Sequence, residues 1–402
     1  MMKTKLIAIA LFTATAAALA AYPAIEAYDS RKTIPKPLAA TNLHIEQQPK
    51  VDVVFVLDTT GSMGGMIEAA KEKIWSIASN MASAQPAPEI RIGLVAFRDR
   101  GDTYVTSVRD LSSDMDSMYA ALMDYRAAGG GDGPESVNKA LDDALNKISW
   151  SQDQNTYKVI FLVGDAAPHM DYSNERRFPE IIADAKGRQI IVNTIQCGQD
   201  GAARKSWTEI AQLGAGEYFQ VDQAGSALAL TTPFDKKIAH LSRKLDDTRL
   251  YYGTAKQKEK QQLKLDAAEK LHSGASIESR ARRAEYNLSK SGKSNFLGEN
   301  ELVDDVASGR IELDSIDSES LPAPMQAMTP AEQKRLITQK AEQRKLLRQE
   351  IESLSKERSD YLEEKVDALG SSKDSLDHKI QSAVKLQAAK KGLDYQESKM
   401  RY

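Results

Sequence analysis

The sequence predicts an α/β protein with a doubly wound, mostly parallel sheet and helices on both faces, followed by an all-helical extension. Short β-branched apolar runs alternate with helical patterns between residues 51 and 248, which is typical of a parallel sheet covered on both sides. All three tryptophans, Trp75, Trp150 and Trp207, lie in this part of the chain. Beyond residue 251 the sequence becomes charged and alanine-rich. We therefore expect the main apolar core in the first part of the chain.

The N-terminal 21 residues have the pattern of a secretory signal peptide. Two lysines precede an apolar run that ends in small residues near Ala20, as signal peptidase sites require. We expect residues 1–21 to be removed, residues 22–50 to form a linker, and the mature protein to be periplasmic or secreted. The alternative is an uncleaved membrane anchor, because apolar residues continue to Ile25 and approach the length of a membrane span.

Charge and cysteine content restrict the classes of partner. The net charge of −3 gives no electrostatic reason to expect nucleic acid or an anionic membrane surface, so we expect no membrane contact beyond the export signal. Cys197 is the only cysteine, which excludes an intrachain disulfide. It follows a β-branched run, and we interpret it as a small buried residue at a strand end.

Strand and helix patterns alternate along the first part of the chain. Predicted strands lie within 51–58, 90–97, 103–108, 158–163, 190–197 and 217–221. The third is short and is expected to pair with the second as a hairpin. Predicted helices lie around 67–81, 115–122, 137–148, 181–186, 207–213 and 234–245.

The extension is predicted to contain two helical parts. Residues 251–310 have helical spacing, and residues 311–328, rich in Ser, Asp and Pro, are expected to form a hinge. Thr329, a proline after it and Glu332 together make the signature of a capped helix start. Residues 329–402 are therefore expected to form a long helix or a helical hairpin.

The long helix has two interpretations. Its apolar stripe favours a coiled coil, through which copies of the chain could self-associate. Arg358 and Lys365 interrupt strict heptads, which favours a charged helix resting on its own domain. The sequence leaves both open.

Oxygen donors follow two predicted strands, and another lies within a glycine-rich loop. Carboxyl ends of parallel strands meet at one edge of a doubly wound sheet, so these donors are expected to lie close together. Carboxylates and hydroxyls suit a hard cation, Mg²⁺ first, with Ca²⁺ or Mn²⁺ as alternatives. The predicted metal ligands are Asp58, Thr60, Ser62, Asp132 and Asp165.

Each donor also has a structural alternative. Thr60 or Ser62 could cap a helix, Asp132 could form a turn, and Asp165 could cap the next helix. His169 lies four residues after Asp165 and is more readily explained as a loop residue than as a ligand.

The segment Asp58-Thr59-Thr60-Gly61-Ser62 resembles the Asp-x-Ser-x-Ser metal-ion-dependent adhesion motif of von Willebrand factor type A domains. Residues 129–135 and Asp165 resemble the second and third metal loops of that family, over about residues 51–248. The resemblance implies a six-stranded doubly wound sheet and a Mg²⁺-type ion that bridges to a carboxylate on a partner protein. Asp132 stands where many adhesive members have threonine, and its charge weakens the expectation of strong adhesion more than that of metal binding.

We therefore expect an exported, non-enzymatic, metal-dependent protein-binding module that serves adhesion or acts as a scaffold. The charged segment Arg98–Arg100 is expected at the rim, as a partner contact or a charged loop. One alternative is a Mg²⁺-dependent phosphate-ester hydrolase with Asp58 as nucleophile, but Thr60 stands where such enzymes carry a general acid. A second alternative is a structural coiled-coil protein capped by the sheet domain.

Overall fold

A computed structural model describes residues 48–131, 133–222, 230–368 and 376–395. Its strands are β1 (Lys50–Asp58), β2 (Glu89–Phe97), β3 (Thr106–Ser112), β4 (Tyr157–Gly164), β5 (Ile190–Cys197) and β6 (Ala215–Val221). They form one six-stranded sheet in the order β3-β2-β1-β4-β5-β6, and only β3 is antiparallel to its neighbour. The predicted fold class is therefore confirmed, with the β2–β3 hairpin a few residues later than predicted.

Helices connect most of the strands, and further helices form most of the described chain after β6. Those between and after the strands are α1 (Gly64–Met81), α2 (Met115–Leu122), α3 (Val137–Asn146), α4 (Phe178–Gly187), α5 (Gly201–Leu213) and α6 (Asp235–Asp246). The extension contains α7 (Ala255–Gly274), α8 (Ile277–Leu288), α9 (Lys293–Leu297), α10 (Leu302–Ala307), α11 (Pro330–Ala368) and α12 (Leu376–Ala389).

Strand β1 lies at the centre of the sheet and is buried on both faces. Val53, Phe55 and Leu57 face α1 and α2, whereas Val54 and Val56 face α3, α4 and α5. This alternation follows from the two-residue period of a strand, and the apolar composition follows from burial on both sides.

The sheet reverses its direction of growth beside β1. The chain runs from β1 outward through β2 and β3 and then returns to place β4 on the other side of β1. Loops that leave adjacent strands towards opposite faces open a crevice at such a switch point, and α/β proteins bind ligands there. Asp58 ends β1 and Asp165 directly follows β4, the two strands that border this crevice.

The C-terminal helix α12 completes one face of the sheet. Its buried residues Ile380, Ala383 and Val384 belong to the same apolar cluster as β1. The side chain of Gln387 accepts a hydrogen bond from the Tyr157 hydroxyl at 2.7 Å. The sheet domain is therefore built from two separate parts of the sequence, and the predicted segment 51–248 does not include the second.

A buried ionic network attaches the extension to the sheet domain. Arg283 of α8 donates two hydrogen bonds to Asp116 of α2, at 2.7 and 2.6 Å, and its Nη1 lies 2.8 Å from Asp246 Oδ2. His272 Nε2 contacts the same Asp246 oxygen at 2.7 Å. Burial alone would raise the pKa of both acids, but the charge of Arg283 holds the pKa of Asp116 below the ordinary range for aspartate. The charges of Arg249 and Arg283 do the same for the pKa of Asp246. Described residues from Gln48 onward accordingly form one compact unit.

The long helix α11 packs on its own chain along a seven-residue repeat. The repeated buried positions are Ile337, Arg344, Ile351 and Arg358. Both arginines pair with acids of other elements. Arg344 Nη1 lies 2.8 Å from a Glu301 oxygen in the extension. Arg358 Nε lies 2.6 Å from an Asp235 oxygen in α6. The arginine that interrupts the apolar heptads is thus a buried anchor.

The start of α11 has the predicted cap. The Thr329 amide donates to Glu332 Oε2 at 2.8 Å, and the Glu332 amide donates to Thr329 Oγ1 at 3.4 Å, as a capping box requires. The preceding segment 311–328 contains three short 3-10 turns and buries Leu313, Leu321 and Met325 against α11.

Cys197 is buried at the end of β5, as predicted, and burial raises the pKa of its thiol. In the described part of the chain, every helix is too short or too polar to cross a membrane. The predicted signal peptide and most of the predicted linker lie outside the described residues.

Candidate metal site

Asp58 ends β1 with one engaged and one unengaged carboxylate oxygen. Its Oδ1 accepts hydrogen bonds from the Thr60 amide at 2.8 Å and the Thr60 hydroxyl at 2.6 Å. Its Oδ2 is buried and has no hydrogen-bond partner among the described residues. The side chain is 1% exposed, so water does not solvate the charge of this carboxylate. A bound cation or a proton would provide it.

The two hydroxyls of this loop lie next to each other. Thr60 Oγ1 and Ser62 Oγ are 3.4 Å apart, and Ser62 is exposed at the edge of the sheet. Thr60 precedes a short 3-10 turn, but its side chain makes no capping hydrogen bond. The capping alternative therefore does not account for this hydroxyl, and both oxygens are available as neutral donors.

The glycine-rich loop is fastened directly to the first loop. The Gly61 amide donates to the Gly129 carbonyl at 3.1 Å, and the Ala128 amide donates to the Thr59 carbonyl at 3.1 Å. Gly129 and Gly130 have φ values of 77° and 81°, which favour glycine. The predicted ligand Asp132 lies outside the described residues.

Asp165 follows β4, on the other side of the crevice from Asp58. Its side chain is half-buried, and its charge is one of the influences that raise the pKa of Asp58. The residue before it, Gly164, leaves space for the Asp58 carboxylate, because a Cβ there would lie 3.1 Å from Asp58 Oδ2. The structure thus brings the first and third predicted loops together.

Glu135 is a buried acid at this edge that was not among the predicted metal ligands. Its side chain is 4% exposed, and its Oε2 has no hydrogen-bond partner among the described residues. A Cβ on Gly130 would lie 3.3 Å from both Glu135 Oε1 and Thr60 Cβ, so the carboxylate and Thr60 flank the same glycine. The available signal was an acid directly after the Gly133-Pro134 turn of the glycine-rich loop.

Acidic groups dominate the electrostatics of this edge. Burial, with the nearby charge of Asp165, raises the pKa of Asp58 to about 7. Burial, with the charges of Asp58, Asp99, Asp102 and Asp165, raises the pKa of Glu135 to about 8. In each case burial is the largest cause, and like charges add to it. Such a site attracts a cation or a proton.

The loop after β2 supports the site, in contrast to the surface rim expected for it. Arg98 is buried and donates to the Thr59 carbonyl at 3.2 Å and to the Arg126 carbonyl at 2.8 Å. Asp99 is also buried and accepts from the Ser136 hydroxyl at 2.8 Å. Only Arg100 is exposed, where it pairs with Glu175 and stacks over Tyr172.

His169 has a structural role in the described chain. Its Nδ1 lies 2.8 Å from Asp171 Oδ1, and its Nε2 lies 3.5 Å from Asp99 Oδ2. Its amide donates to the Glu135 carbonyl at 3.0 Å. This agrees with the loop-residue interpretation and shows that the histidine fastens the loop after β4 to the Glu135 backbone.

The donors present fit a hard divalent cation. Two acids at adjacent strand ends, two neighbouring hydroxyls and an unengaged Asp58 oxygen offer oxygen ligands alone, which Mg²⁺ and Ca²⁺ prefer. No three His, Cys, Asp or Glu side chains of the described residues form a group that could hold a metal ion. An ion here would therefore also need the hydroxyls of Thr60 and Ser62, and water.

Comparisons with known proteins match the sheet domain to a family model. The family model described as von Willebrand factor A domain matches residues 52–233. The mouse (Mus musculus) von Willebrand factor A domain-containing protein 7 is 38% identical over 120 residues, which are 30% of this chain and 12% of that protein. A putative ariadne-like RING finger protein of Acanthamoeba polyphaga mimivirus is 28% identical over 160 residues, 40% of this chain and 15% of that protein. The chain thus spans only a small part of these relatives.

Similarity to two solved structures covers less than half of this chain. Proximal thread matrix protein 1 from the mussel byssus, in a structure with a zinc-occupied MIDAS motif, has a TM-score of 0.35 and 15% identity, covering 43% of this chain and 42% of that one. The SpRpn10 VWA domain has a TM-score of 0.35 and 14% identity, covering 45% of this chain and 92% of that one.

Proposed function

We propose that the sheet domain, whose residues 52–233 match the family model described as von Willebrand factor A domain, binds a protein partner through a divalent cation held at the carboxyl edge of its sheet. Von Willebrand factor A domains are in general protein-interaction modules. The proposal rests chiefly on Asp58, whose Oδ2 is buried without a hydrogen-bond partner in the described chain.

The residues proposed to hold the cation are Asp58, Thr60, Ser62 and Asp165, together with Asp132. Mg²⁺ is the proposed ion, because the donors are all oxygens and Mg²⁺ retains several water molecules in protein sites. These side chains would hold the cation directly or through its bound water, and an oxygen of the partner would take one coordination position. We propose that this oxygen belongs to a carboxylate, since an anion binds a divalent cation most strongly.

Partner capture tests this function directly. Immobilised full-length chain should retain a partner from the native extract in Mg²⁺ and release it in EDTA. The Asp58→Ala variant should fail to retain the same partner while keeping the circular dichroism spectrum of the parent chain. Equal retention by the parent chain in EDTA and by Asp58→Ala in Mg²⁺ would contradict the proposal.

We propose no catalytic step at this site. A hydrolase that used Asp58 as nucleophile would need a proton donor for the leaving group, and the Thr60 hydroxyl instead donates to Asp58. Mg²⁺-dependent hydrolysis of p-nitrophenyl phosphate that is lost in Asp58→Asn would favour the hydrolase instead.

Export and self-association are subordinate proposals. The N-terminal pattern supports a periplasmic or secreted protein, and the mass of the mature chain would show whether residues 1–21 are removed.

Self-association through the tail would have to use the outer side of α11, where Leu346 is exposed, because the seam that contains Ile351 and Arg358 packs on the same chain. Light scattering on the full chain would measure it.

A further inference from the structure

A groove between α10 and α11 is lined by basic side chains of the long helix. It has a volume of about 340 Å³. Val303 and Ala307 line it from α10, and Ala341 and Arg348 line it from α11. Lys345 also lines it and is exposed, so the groove opens to solvent on the outer side of α11. We call it the α10–α11 groove.

The charge of Arg348 has no acidic partner in the described chain. Its side chain is half-buried, and its Nη2 donates to the Leu288 carbonyl at 3.1 Å, but no described carboxylate forms an ion pair with it. Both oxygens of the nearby Glu301 already accept from Arg344. Burial and the charge of Arg344 lower the pKa of Arg348, yet an arginine stays protonated in proteins. An anion that enters the groove would therefore be stabilised.

The segment before the long helix carries acids that lack basic partners. Residues 311–320 contain four acids and no base, and Leu313 anchors them in an apolar cluster that includes α11. Asp314 pairs with Lys334 of α11 at 2.7 Å. The other three acids are exposed and form no ion pair with the described residues, and they are Glu312, Asp317 and Glu319. We call residues 311–320 the acidic turn segment.

The groove and the acidic turn segment lie along one face of α11. Lys334, Ala341 and Arg348 follow each other at intervals of seven residues, and seven residues make almost two helical turns. Asp314 contacts the first of these residues, and the other two line the groove. Lys334 and Arg348 are about 21 Å apart along the helix at 1.5 Å per residue. A negative and a positive surface thus lie on the same face on either side of Ala341.

We propose that the α10–α11 groove binds the acidic turn segment of a second copy of this chain. A two-fold axis beside Ala341 would place Lys334 of one copy opposite Arg348 of the other, so that one symmetric contact fills both grooves. Carboxylates of the segment would compensate Arg348 and Lys345, and a guanidinium can bind a carboxylate through two parallel hydrogen bonds. This inference rests on the self-association proposed above and gives it a surface, and it does not depend on the cation site.

Sedimentation equilibrium of the full chain in EDTA tests the inference. The chain should form dimers in about 50 mM salt, and the dissociation constant should rise at least about 10-fold in about 0.5 M salt, because salt screens charges at an interface. A chain that remains monomeric at about 100 µM in low salt would overturn the inference, as would a dimer that is equally stable in both salts. Asp58→Ala should dimerise as the parent chain does, since the metal edge takes no part.

Charge reversal on either side locates the contact. Arg348→Glu should weaken dimerisation at least about 10-fold, because it brings like charges together. The double variant Asp317→Lys, Glu319→Lys should do the same from the other side. An equimolar mixture of the two variants should dimerise again, because both contacts of the mixed dimer then join opposite charges. Dimers that form equally well in both variants would leave self-association standing and overturn the inference, and so would a mixture that stays monomeric.

Lys205→Glu is the matched control for Arg348→Glu. It reverses one exposed positive charge on α5, away from the groove, and should change dimerisation by less than about twofold. An equal loss in both variants would mean that net charge, and not the groove, governs association, and would overturn the inference. Should Arg348→Glu fail to fold by circular dichroism, Lys345→Glu on the exposed side of the groove takes its place, and dimerisation of that variant at parent strength would overturn the inference.

Discussion

Asp58 and Gly164 approach each other so closely at the ends of β1 and β4 that a side chain at residue 164 would crowd its neighbours. A Cβ at Gly164 would lie 3.0 Å from Asp58 Cβ and 3.1 Å from Asp58 Oδ2. It would also lie 3.0 Å from the ring of Trp207, whose Nε1 donates to the Ala166 carbonyl at 2.9 Å. The position of the unengaged Asp58 oxygen therefore depends on a glycine in the neighbouring strand.

Gly164→Ala should consequently lower both stability and cation affinity. Overpacking of this kind costs about 1–3 kcal/mol, and the displaced carboxylate should weaken Mg²⁺ binding in calorimetry. Gly187→Ala is the control, because a Cβ there meets no atom within 4 Å, and it should be as stable as the parent chain or more so. Parent-like melting temperature and Mg²⁺ affinity in Gly164→Ala would contradict this prediction.

Cation binding should weaken as the pH falls below about 8. Protons compete with the cation for Asp58, whose pKa is about 7, and for Glu135, whose pKa is about 8. Affinity at pH 6 should be lower than at pH 8 by about 10- to 100-fold, as measured by calorimetry in buffers of equal ionic strength. A pH-independent affinity of the parent chain would contradict the prediction.

Without metal, the pH dependence of stability should have the opposite direction. The folded pKa values of Asp58 and Glu135 lie above their ordinary values of 3.8 and 4.5, so the folded chain holds more protons than the unfolded chain between these limits. These acids therefore make stability in EDTA fall as the pH rises from 5 to 8, by on the order of a few kcal/mol. Urea denaturation across this range measures the effect, and Glu135→Gln should reduce it.

Loss of the buried Arg358 should strongly destabilise the packing of α11. Its guanidinium is 1% exposed and pairs with Asp235 and Glu285, so Arg358→Met leaves buried acids unpaired, at a cost of about 3–5 kcal/mol. Adding Asp235→Asn should recover part of that loss. Arg335→Ala on the exposed side of the same helix should change stability by less than about 0.5 kcal/mol. Equal changes in the free energy of unfolding for Arg358→Met and Arg335→Ala, measured by denaturant unfolding, would contradict the assignment of Arg358 as a buried anchor.

Gln387 and Leu386 form a matched pair for testing how α12 is attached. Gln387 is hydrogen-bonded to Tyr157 and Asn193 of the sheet, whereas its neighbour Leu386 is 71% exposed. Gln387→Ala leaves buried polar groups unpaired and should cost about 1–3 kcal/mol. Leu386→Ala should cost less than about 0.5 kcal/mol. If urea denaturation gives equal effects, α12 is not held as the structure indicates.

The sequence predicted the sheet well because its signals are local. Runs such as Val51–Leu57 identify buried strands, and donors directly after a strand must lie at its carboxyl end. This is why Asp58 and Asp165 could be expected to meet although they are far apart in sequence. The predicted cap at Thr329 is local in the same sense.

Other features depend on distant partners and could not be predicted. The orientation of Glu135 is set by hydrogen bonds to Ala167 and His169, which no short pattern reveals. Arg358 looked like an interruption of a heptad because its partner Asp235 lies more than 100 residues away. Arg98 looked like a surface charge, because the backbone carbonyls that surround it carry no sequence signal.

The last strand β6 ends at Val221, whereas α12, which covers the same sheet, begins at Leu376. A ribosome that has made all six strands has therefore not yet made the helix that closes one of their faces. Until it does, an apolar surface around β6 stays open to chaperones and to other unfinished chains. The order of synthesis thus delays completion of the cation-binding domain until almost the whole polypeptide exists, and a premature stop late in the gene would affect the front of the protein.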